Sequence, residues 1–329
     1  MNEWIAITGG CGYVGSHIAT AIKSHTRFKT LVIDDRADQL SHTHASADEL
    51  IADDYISTTA LDSLNKLKPK AIIHCAASSL VTPSMTDPGS YYDNNVIKLK
   101  ILLDHVSKSD SKNIVFSSSS SVYGDGDGKT PNTEFESLEP ISPYGKTKLV
   151  GEMMLFDYYM AHGVNSIAFR YFNAVGAQSG GTIGQEPGAT HLIARIMESM
   201  FRGEEVPVFG DDYPTRDGTC VRDYVHVSDI AQAHVIGMSY LLNNPGQHVY
   251  NIGSGTGYSV LEIISAVERI TGKPVNKVIE RRRPGDPAWR VADTSRITDD
   301  LGWKPVNGLD QIVADAYRWY NSDTFKNIR

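Results

Sequence analysis

Apolar residues in the first half of the chain occur in short runs that alternate with stretches of helical periodicity. Residues 4–8 form an apolar run that predicts a buried strand, and residues 13–23, which follow a cluster of glycines, predict a helix. Further elements are expected as strands at 30–33, 71–75 and 113–116 and as a long helix at about 91–106. Because strands that alternate with helices pair in parallel, the pattern predicts an α/β fold with a doubly wound parallel (Rossmann) sheet.

The second half of the chain has a different pattern. Gly, Pro and Asp are frequent in residues 175–188 and 210–219, which predicts ordered loops. Helices are expected at about 191–201, 229–242, 260–271 and 309–320. We therefore expect a Rossmann domain over residues 1–173 and a smaller mixed α/β domain over 174–329, some segments of which pack back onto the first.

Charge and cysteine content narrow the classes of function. A formal net charge of −8 disfavours a nucleic-acid or acidic-membrane partner, although an anionic small ligand can still bind a locally basic pocket. The three cysteines are far apart in sequence, and His226 and His234 lack a third ligand at metal-binding spacing, so neither a disulfide framework nor a metal site is expected. No segment approaches ~18 consecutive apolar residues, and no signal peptide is expected, so the prediction is a cytoplasmic protein.

The glycines after the first strand predict a dinucleotide site. Gly9, Gly12 and Gly15 let the backbone turn tightly and approach a pyrophosphate, while the following helix N-terminus, starting at Tyr13 and Val14, attracts the phosphates. Asp34, at the end of the second strand, lies 19 residues beyond Gly15 and is followed by Asp35. An acidic side chain at this place bonds ribose hydroxyls and favours NAD over NADP, although the nearby Arg36 leaves NADP open as an alternative.

A tyrosine and a lysine at helical spacing form the candidate catalytic pair. Tyr144 and Lys148 are four residues apart, so both project from one helix face. A phenol is a weak base at neutral pH, and a neighbouring ammonium together with a nicotinamide charge is expected to lower its pKa. The strand at 113–116 is followed by the serine run 117–121, whose hydroxyls can hydrogen-bond a substrate at the same edge of the sheet.

Motifs along nearly the whole chain resemble those of the extended short-chain dehydrogenase/reductases, and within them the UDP-glucose (UDP-galactose) 4-epimerases. The matching stretches are TGGCGYVGSH from Thr8, YYDNNV from Tyr91, FSSSSSVYGD from Phe116, SPYGKTK from Ser142, RYFNAVGA from Arg170, DDYPTRDGTCVRDYVHVSD from Asp211, YNIGSGTGYSV from Tyr250 and RRPGDPA from Arg282. The resemblance implies NAD as cofactor and a UDP-sugar as substrate. It also implies a homodimer formed by the helices near 91–106 and 144–162.

The resemblance assigns a role to each matching residue. Tyr144 is implied as the acid/base, Lys148 as the contact to the nicotinamide ribose, and Ser119 as the catalytic hydroxyl, with Ser118 and Ser120 as alternatives. The implied cofactor contacts are Gly9, Gly12, Tyr13, Val14, Gly15, Asp34, Asp35, Asp54, Ala76, Ala77, Asn95, Ser117, Tyr144, Lys148 and Tyr171. The implied substrate contacts are Ser119, Ser120, Tyr144, Asn173, His191, Leu192, Phe209, Arg222, Arg283, Asp286 and Arg290.

The implied reaction is the interconversion of UDP-glucose and UDP-galactose. Tyr144 takes the C4 hydroxyl proton while the C4 hydride passes to NAD, and the 4-keto sugar turns over before the hydride returns. Arg290 stands where the family controls entry to the sugar pocket, and its length predicts a preference for unacetylated sugars. A UDP-uronic acid, UDP-pentose or UDP-N-acetylhexosamine 4-epimerase remains an alternative, as do a nucleotide-sugar dehydratase and a non-catalytic NAD-binding sensor.

Overall fold

The strands provide the framework of this computed structural model, which describes residues 3–125, 128–283 and 286–328. Pro284 and Gly285 of the Arg282 motif lie outside these described residues. In chain order the strands are β1 (Trp4–Thr8), β2 (Lys29–Ile33), β3 (Glu49–Ile51), β4 (Ala71–His74), β5 (Asn113–Ser119), β6 (Asn165–Tyr171), β7 (Asn173–Val175), β8 (Val206–Phe209), β9 (Val221–His226), β10 (Gln247–Ile252), β11 (Gly257–Ser259), β12 (Lys277–Glu280) and β13 (Trp289–Arg290).

Helices cover the sheet and build most of the second half. They are α1 (Tyr13–His25), α2 (Thr58–Leu67), α3 (Val81–Thr86), α4 (Pro88–Tyr92), α5 (Lys98–Ser107), α6 (Pro143–His162), α7 (Leu192–Arg202), α8 (Val227–Asn243), α9 (Val260–Thr271), α10 (Ser295–Leu301), α11 (Leu309–Asn321) and α12 (Asp323–Ile328). Short 3-10 turns occupy Ala37–Gln39, Ser41–Ser46 and Ser120–Val122. Among the helices in the described ranges, none combines the length and the apolar character needed to cross a bilayer.

The central sheet is parallel and doubly wound, as the sequence predicts. In the described part of the chain it has seven strands in the order β10-β6-β5-β4-β1-β2-β3. From β1 the chain first moves outward through β2 and β3, and then returns to pair β4 against the other side of β1. Because the direction of winding reverses between β1 and β4, a crevice opens there at the carboxyl ends of the strands.

Both faces of the sheet are buried, which explains why β1, β2 and β4 are mostly apolar along their length. Ile5 and Ile7 of β1 pack into one core with Ile18 and Ile22 of α1, while Ala6 faces the opposite core. Each fully buried isoleucine side chain stabilises the fold by roughly 1.5–3 kcal/mol relative to an exposed one. The alternation along β1 therefore anchors the strand from both sides.

A smaller mixed unit lies beyond the carboxyl edge of the sheet. Strand β9 pairs with β7, β11 and β13, and β8 pairs with β12. Helices α7, α9 and α11 cover these strands and share a second core that includes Ile263 and Trp319. This unit brings the arginine-bearing strands β9 and β13 to the crevice.

Two elements of the second half return to the central sheet. Strand β10 extends it by pairing with β6, and α8 shares the first hydrophobic core with α1. The return was expected for some segments beyond residue 173, and the domain division at that residue stays a prediction.

Two predicted elements differ from the structure. The helix expected at 91–106 is divided into α4, a π-helical turn over Asp93–Ile97, and α5. Asn95 lies in that turn and makes tertiary hydrogen bonds that local periodicity cannot reveal. Strand β5 extends to Ser119 rather than ending at 116, because the serines continue the parallel pairing with β6 up to Ser119 opposite Tyr171.

Candidate active site

The turn after β1 is packed too closely to admit side chains. Gly9 has a φ of +69°, and a Cβ there would lie 2.6 Å from the Ala76 backbone nitrogen. A Cβ on Gly15 would lie 2.1 Å from the Gly9 carbonyl oxygen. Gly12 forms the N-cap of α1 without a side-chain hydrogen bond. The first-turn N–H groups of α1 therefore remain available to an anion in the crevice.

Asp34 is a buried carboxylate at the crevice end of β2. It is 6% exposed and accepts hydrogen bonds from the backbone nitrogens of Cys11 and Arg36, both at 2.9 Å. The Arg36 guanidinium itself forms a two-pronged pair with Glu186 at 3.2 Å. Arg36, the residue that would favour the 2′-phosphate of NADP, is therefore paired with a carboxylate. Asp34 keeps free lone pairs that can accept hydrogen bonds from ribose hydroxyls.

Asn95 links the loop after β4 to the helix that carries the catalytic pair. Its side-chain oxygen accepts from the Ser78 nitrogen at 2.8 Å, and its amide group donates to the Ser78 carbonyl and the Thr147 hydroxyl, both at 3.0 Å. Thr147 in turn donates to the Tyr144 carbonyl at 2.8 Å. Asn95 therefore positions α6 without itself lining the crevice.

Helix α6 begins at Pro143 and presents Tyr144 and Lys148 on one face. The Gly145 nitrogen donates to the Ser142 hydroxyl at 3.1 Å, which caps the helix. The Lys148 Nζ donates to the Ser117 carbonyl of β5 at 2.8 Å and lies 5.9 Å from the centroid of the Tyr144 ring. The ammonium is thus held between the end of the strand and the phenol.

Burial dominates the acid–base properties of this pair. It raises the pKa of the Tyr144 phenol above its usual value of 10, and the hydrogen bond with Ser119 only partly opposes the rise. Burial also lowers the pKa of Lys148 from 10.5 to about 8. The lowering of the Tyr144 pKa expected from the sequence is therefore not a property of the protein alone. A further positive charge beside the phenol, such as that of a bound nicotinamide, favours the phenolate form.

The serine run provides hydroxyls on both sides of the end of β5. Ser117 and Ser119 alternate with Ser118 along the strand, and Ser118 donates to Glu152 of α6. Ser119 is 8% exposed and its hydroxyl lowers the pKa of the Tyr144 phenol, while Ser120 begins the following turn. Of the three serines considered, Ser119 is the one placed against the phenol.

Two arginines lie at the opposite wall of the crevice. Arg222 of β9 donates to the Asp286 carboxylate and to the Pro287 carbonyl, and these contacts hold its guanidinium in place. Arg290 of β13 donates to the Gly124 carbonyl. Burial lowers the pKa of Arg290 to about 10, and the neighbouring Arg222 contributes to the lowering. Both side chains stay cationic at neutral pH.

The remaining predicted substrate residues surround this wall. The Arg283 guanidinium lies 3.7 Å from the centroid of the Phe209 ring, a stacking distance. His191 precedes α7, and burial lowers its pKa so that it stays neutral. Its Nδ1 lies 2.6 Å from the Gln185 amide nitrogen, which leaves Nε2 as a donor.

The crevice encloses about 740 Å³ and gathers most of the predicted residues. Those that line it are Gly9, Gly12, Tyr13, Val14, Gly15, Asp34, Asp35, Asp54, Ala76, Ala77, Ser117, Ser119, Ser120, Tyr144, Lys148, Tyr171, Asn173, His191, Arg222 and Arg290. Those outside its lining are Asn95, Leu192, Phe209, Arg283 and Asp286. Leu192 packs on the second core, Asp286 pairs with Arg222, and Arg283 stacks on Phe209.

Several polar residues at the site were not singled out from the sequence. Ser78 and Thr147 anchor Asn95, Glu186 holds Arg36, and Gln185 fixes His191. Each partner lies in another loop or helix, so no local spacing indicates these contacts. Of these residues, only Thr147 lies in a motif quoted from the sequence, SPYGKTK, which also contains the catalytic pair.

Comparisons with known proteins agree with this geometry. Residues 5–253 match the NAD dependent epimerase/dehydratase family. The UDP-glucose 4-epimerase of Bacillus subtilis (strain 168) is 38% identical over 333 residues, covering 97% of each chain. The UDP-glucose 4-epimerase of Brucella ovis in complex with NAD superposes with a TM-score of 0.90 at 37% identity, covering 97% of this chain and 98% of that one. The UDP-glucose 4-epimerase of Bifidobacterium longum in complex with NAD+ and UDP superposes with a TM-score of 0.90 at 32% identity, covering 98% of this chain and 99% of that one.

Proposed function

The chain belongs to the NAD dependent epimerase/dehydratase family, and from this we propose that it is an NAD-dependent 4-epimerase of UDP-hexoses that interconverts UDP-glucose and UDP-galactose. Relatives of that name align with it over nearly its whole length. The observation that carries the proposal is the meeting of Tyr144, Ser119 and Lys148 at one end of a crevice whose other end is the glycine turn.

The residues at the glycine turn fit NAD. The uncapped first turn of α1 offers N–H groups to a pyrophosphate, and the close packing around Gly9 and Gly15 leaves room only for backbone. Asp34 presents a buried carboxylate to ribose hydroxyls, whereas a 2′-phosphate would meet its negative charge. When bound, NAD supplies a reversible hydride acceptor for the C4 position of the sugar.

The catalytic pair provides proton transfer at the C4 hydroxyl. Tyr144 takes the hydroxyl proton and later returns it, which is general base and then general acid catalysis. Lys148, protonated below its pKa of about 8, stabilises the phenolate form from a position fixed by the Ser117 carbonyl. The Ser119 hydroxyl favours the phenolate form of Tyr144, since it lowers the pKa of the phenol, and it is available to hydrogen-bond the substrate hydroxyl.

The nucleotide is held more firmly than the sugar in this proposal. Arg222, fixed by Asp286, and the neutral His191 face the diphosphate, and the stacked pair of Arg283 and Phe209 forms one side of the uracil site. The sugar end is lined by small hydroxyl side chains that leave room for it to turn over. Firm diphosphate contacts and a loosely held hexose are what inversion of a single carbon requires.

Arg290 decides between sugars in this proposal. It lines the crevice, and its side chain is long enough to fill the space that an N-acetyl group would need. An unacetylated hexose is therefore the proposed substrate. The alternative is a UDP-uronic acid, because the Arg290 guanidinium, which donates to the Gly124 carbonyl, has further N–H groups that can donate to a carboxylate.

A second copy of the chain is the proposed partner. Exposed apolar side chains lie along α6 at Met153, Phe156 and Met160, and beside it at Ile97, which ends the π-helical turn, and at Ile101 of α5. Their spacing of three and four residues forms stripes that a second copy of the same two helices would cover. A monomeric mass in solution by light scattering at micromolar concentration would contradict this part of the proposal.

The test of the function is turnover of a panel of UDP-sugars by the wild type and by Tyr144→Phe. The wild type should interconvert UDP-galactose and UDP-glucose, and the variant should lose roughly 10²–10⁴-fold in turnover while still retaining NAD. Tyr159→Phe, further along α6, is the matched control and should remain active. Full activity of Tyr144→Phe contradicts the mechanism, and turnover of UDP-N-acetylgalactosamine alone contradicts the role of Arg290.

A further inference from the structure

A chain of buried hydrogen bonds runs from the catalytic strand into the hydrophobic core. The Ser117 hydroxyl lies 2.9 Å from the Tyr171 hydroxyl, which lies 2.6 Å from Nε2 of His234. Nδ1 of His234 lies 2.8 Å from the carbonyl oxygen of Ile230, one turn earlier in α8. His234 is fully buried and packs against the ring of Phe169. The sequence analysis indicated only that this histidine lacks the partners of a metal site.

The direction of each hydrogen bond in the chain follows from its last acceptor. The Ile230 carbonyl only accepts, so Nδ1 of His234 carries the hydrogen. Burial lowers the pKa of His234 to about 4, so the ring is neutral and Nε2 is an acceptor. Tyr171 must therefore donate its single hydrogen to His234. It follows that the hydrogen bond between Ser117 and Tyr171 is donated by Ser117.

Ser117 connects this chain of hydrogen bonds to the catalytic pair. The same residue accepts a hydrogen bond from the Lys148 ammonium on its backbone carbonyl at 2.8 Å, and Sγ of Cys75, at 3.3 Å from the Ser117 hydroxyl, is a second acceptor that competes with Tyr171 for its hydrogen. Tyr171 lines the crevice beside Tyr144. Because the hydrogen of Tyr171 is donated to His234, its oxygen can take part in further hydrogen bonds only as an acceptor. An N–H donor, such as that of a carboxamide, can therefore hydrogen-bond to the Tyr171 oxygen, whereas a group that only accepts hydrogen bonds cannot.

We propose that His234 is a positioning residue for the reaction, which fixes the Tyr171 hydroxyl as a hydrogen-bond acceptor and thereby orders the Ser117–Lys148 side of the site. The test of this inference by turnover rests on the proposed function, whereas its test by NAD retention does not. A histidine that only filled the core would not need the hydrogen that the Tyr171 hydroxyl donates to Nε2. The two roles therefore differ in whether the effect of His234 depends on the Tyr171 hydroxyl.

A double-mutant cycle separates these roles. His234→Phe keeps a ring in the core but removes the acceptor, Tyr171→Phe removes the hydroxyl, and the two are also combined. We expect each single variant to lower kcat, with KM for UDP-galactose nearly unchanged, by roughly five- to a hundredfold, the range for an unsatisfied buried hydrogen-bonding group. The combined variant should lose no more than the worse single one, because both changes remove the same interaction.

Dinucleotide retention gives a readout that does not depend on turnover. The fraction of NAD that stays bound through gel filtration should fall in both single variants and fall no further in the double variant. His234→Gln, whose amide oxygen can replace the Nε2 acceptor, should recover most of the retention and of kcat. Phe169→Leu, which loosens the packing around the same ring, is the control and should lower the unfolding temperature with kcat and retention unchanged.

The outcomes are distinguishable. Additive losses in the double variant, or full kcat and retention in His234→Phe, would overturn the positioning role. Absence of turnover in the wild type would reject the proposed function, while the retention cycle would still decide the role of His234. If His234→Phe does not fold, the comparison of Tyr171→Phe with His234→Gln decides the question, because equal losses in both would also contradict the inference.

Discussion

Lys148 carries its charge in a nearly solvent-free site, so removing that charge should stabilise the protein. Its pKa falls from 10.5 to about 8, mainly because burial penalises the ammonium, and this shift corresponds to roughly 3 kcal/mol at 1.36 kcal/mol per pKa unit. Lys148→Met keeps the apolar stem and removes the charge. It also removes the hydrogen bond to the Ser117 carbonyl, worth about 1 kcal/mol. We therefore expect a net gain of about 2 kcal/mol at pH 7.

The gain should depend on pH in a defined direction. Below pH 8 the lysine is protonated in both the folded and the unfolded state, and the full burial cost is present. Between pH 8 and 10.5 the folded state binds fewer protons than the unfolded state, so the stability of the wild type rises with pH. The advantage of the methionine variant should therefore disappear across that interval.

Urea unfolding of dinucleotide-free protein at several pH values between 6 and 10.5 measures this difference. Removing the dinucleotide keeps a loss of cofactor affinity from entering the comparison. Lys146→Met, on the exposed side of the same helix, is the matched control and should stay within about 0.5 kcal/mol of the wild type throughout. A methionine variant that is less stable than the wild type at pH 7, or whose advantage does not change with pH, would refute the reasoning.

Three further substitutions test other parts of the site. Gly15→Ala should weaken NAD binding at least roughly tenfold by titration calorimetry, because its Cβ would lie 2.1 Å from the Gly9 oxygen, whereas Gly180→Ala, with open space around it, should bind normally. Glu152→Ala should lower the free energy of unfolding by about 3–5 kcal/mol, because it leaves the Arg170 guanidinium buried without its partner at 2.7 Å, and an unchanged urea midpoint would contradict this. Arg290→Ala should raise the turnover of UDP-N-acetylgalactosamine relative to UDP-galactose by about tenfold, and a constant ratio would remove Arg290 from the choice of sugar.

Local sequence patterns were sufficient for the scaffold and for the position of the chemistry. The apolar run of β1, the glycines after it and the helical periodicity of α1 are all encoded by neighbouring residues. The spacing of Tyr144 and Lys148 likewise determines that they share a helix face. Parallel strands end at one edge of the sheet, so the serines after residue 116 and the acid at Asp34 could be placed near one crevice before the structure was known.

Patterns of this kind were misleading where a tertiary contact overrides the local preference. The π-helical turn at Asp93–Ile97 interrupts an apparently regular helix, and within it Asn95 bridges Ser78 and Thr147. Burial also raises the pKa of Tyr144 in the chain by itself, a contribution that periodicity does not measure, and the lowering expected beside a nicotinamide stays a prediction. Both differences come from the environment around a residue rather than from its neighbours in sequence.

Residue order along the chain therefore specified the Rossmann sheet, the glycine turn and the Tyr144–Lys148 pair, because each depends on geometry within one element or between adjacent ones. The folded chain alone decided that Arg36 pairs with Glu186, that Ser119 rather than Ser118 meets the phenol, and that His234 accepts the hydrogen of Tyr171. The partners in the first and last pairs are 150 and 63 residues apart. Their hydrogen bonds form only where separate elements cross, and the packing of the whole core sets those crossings.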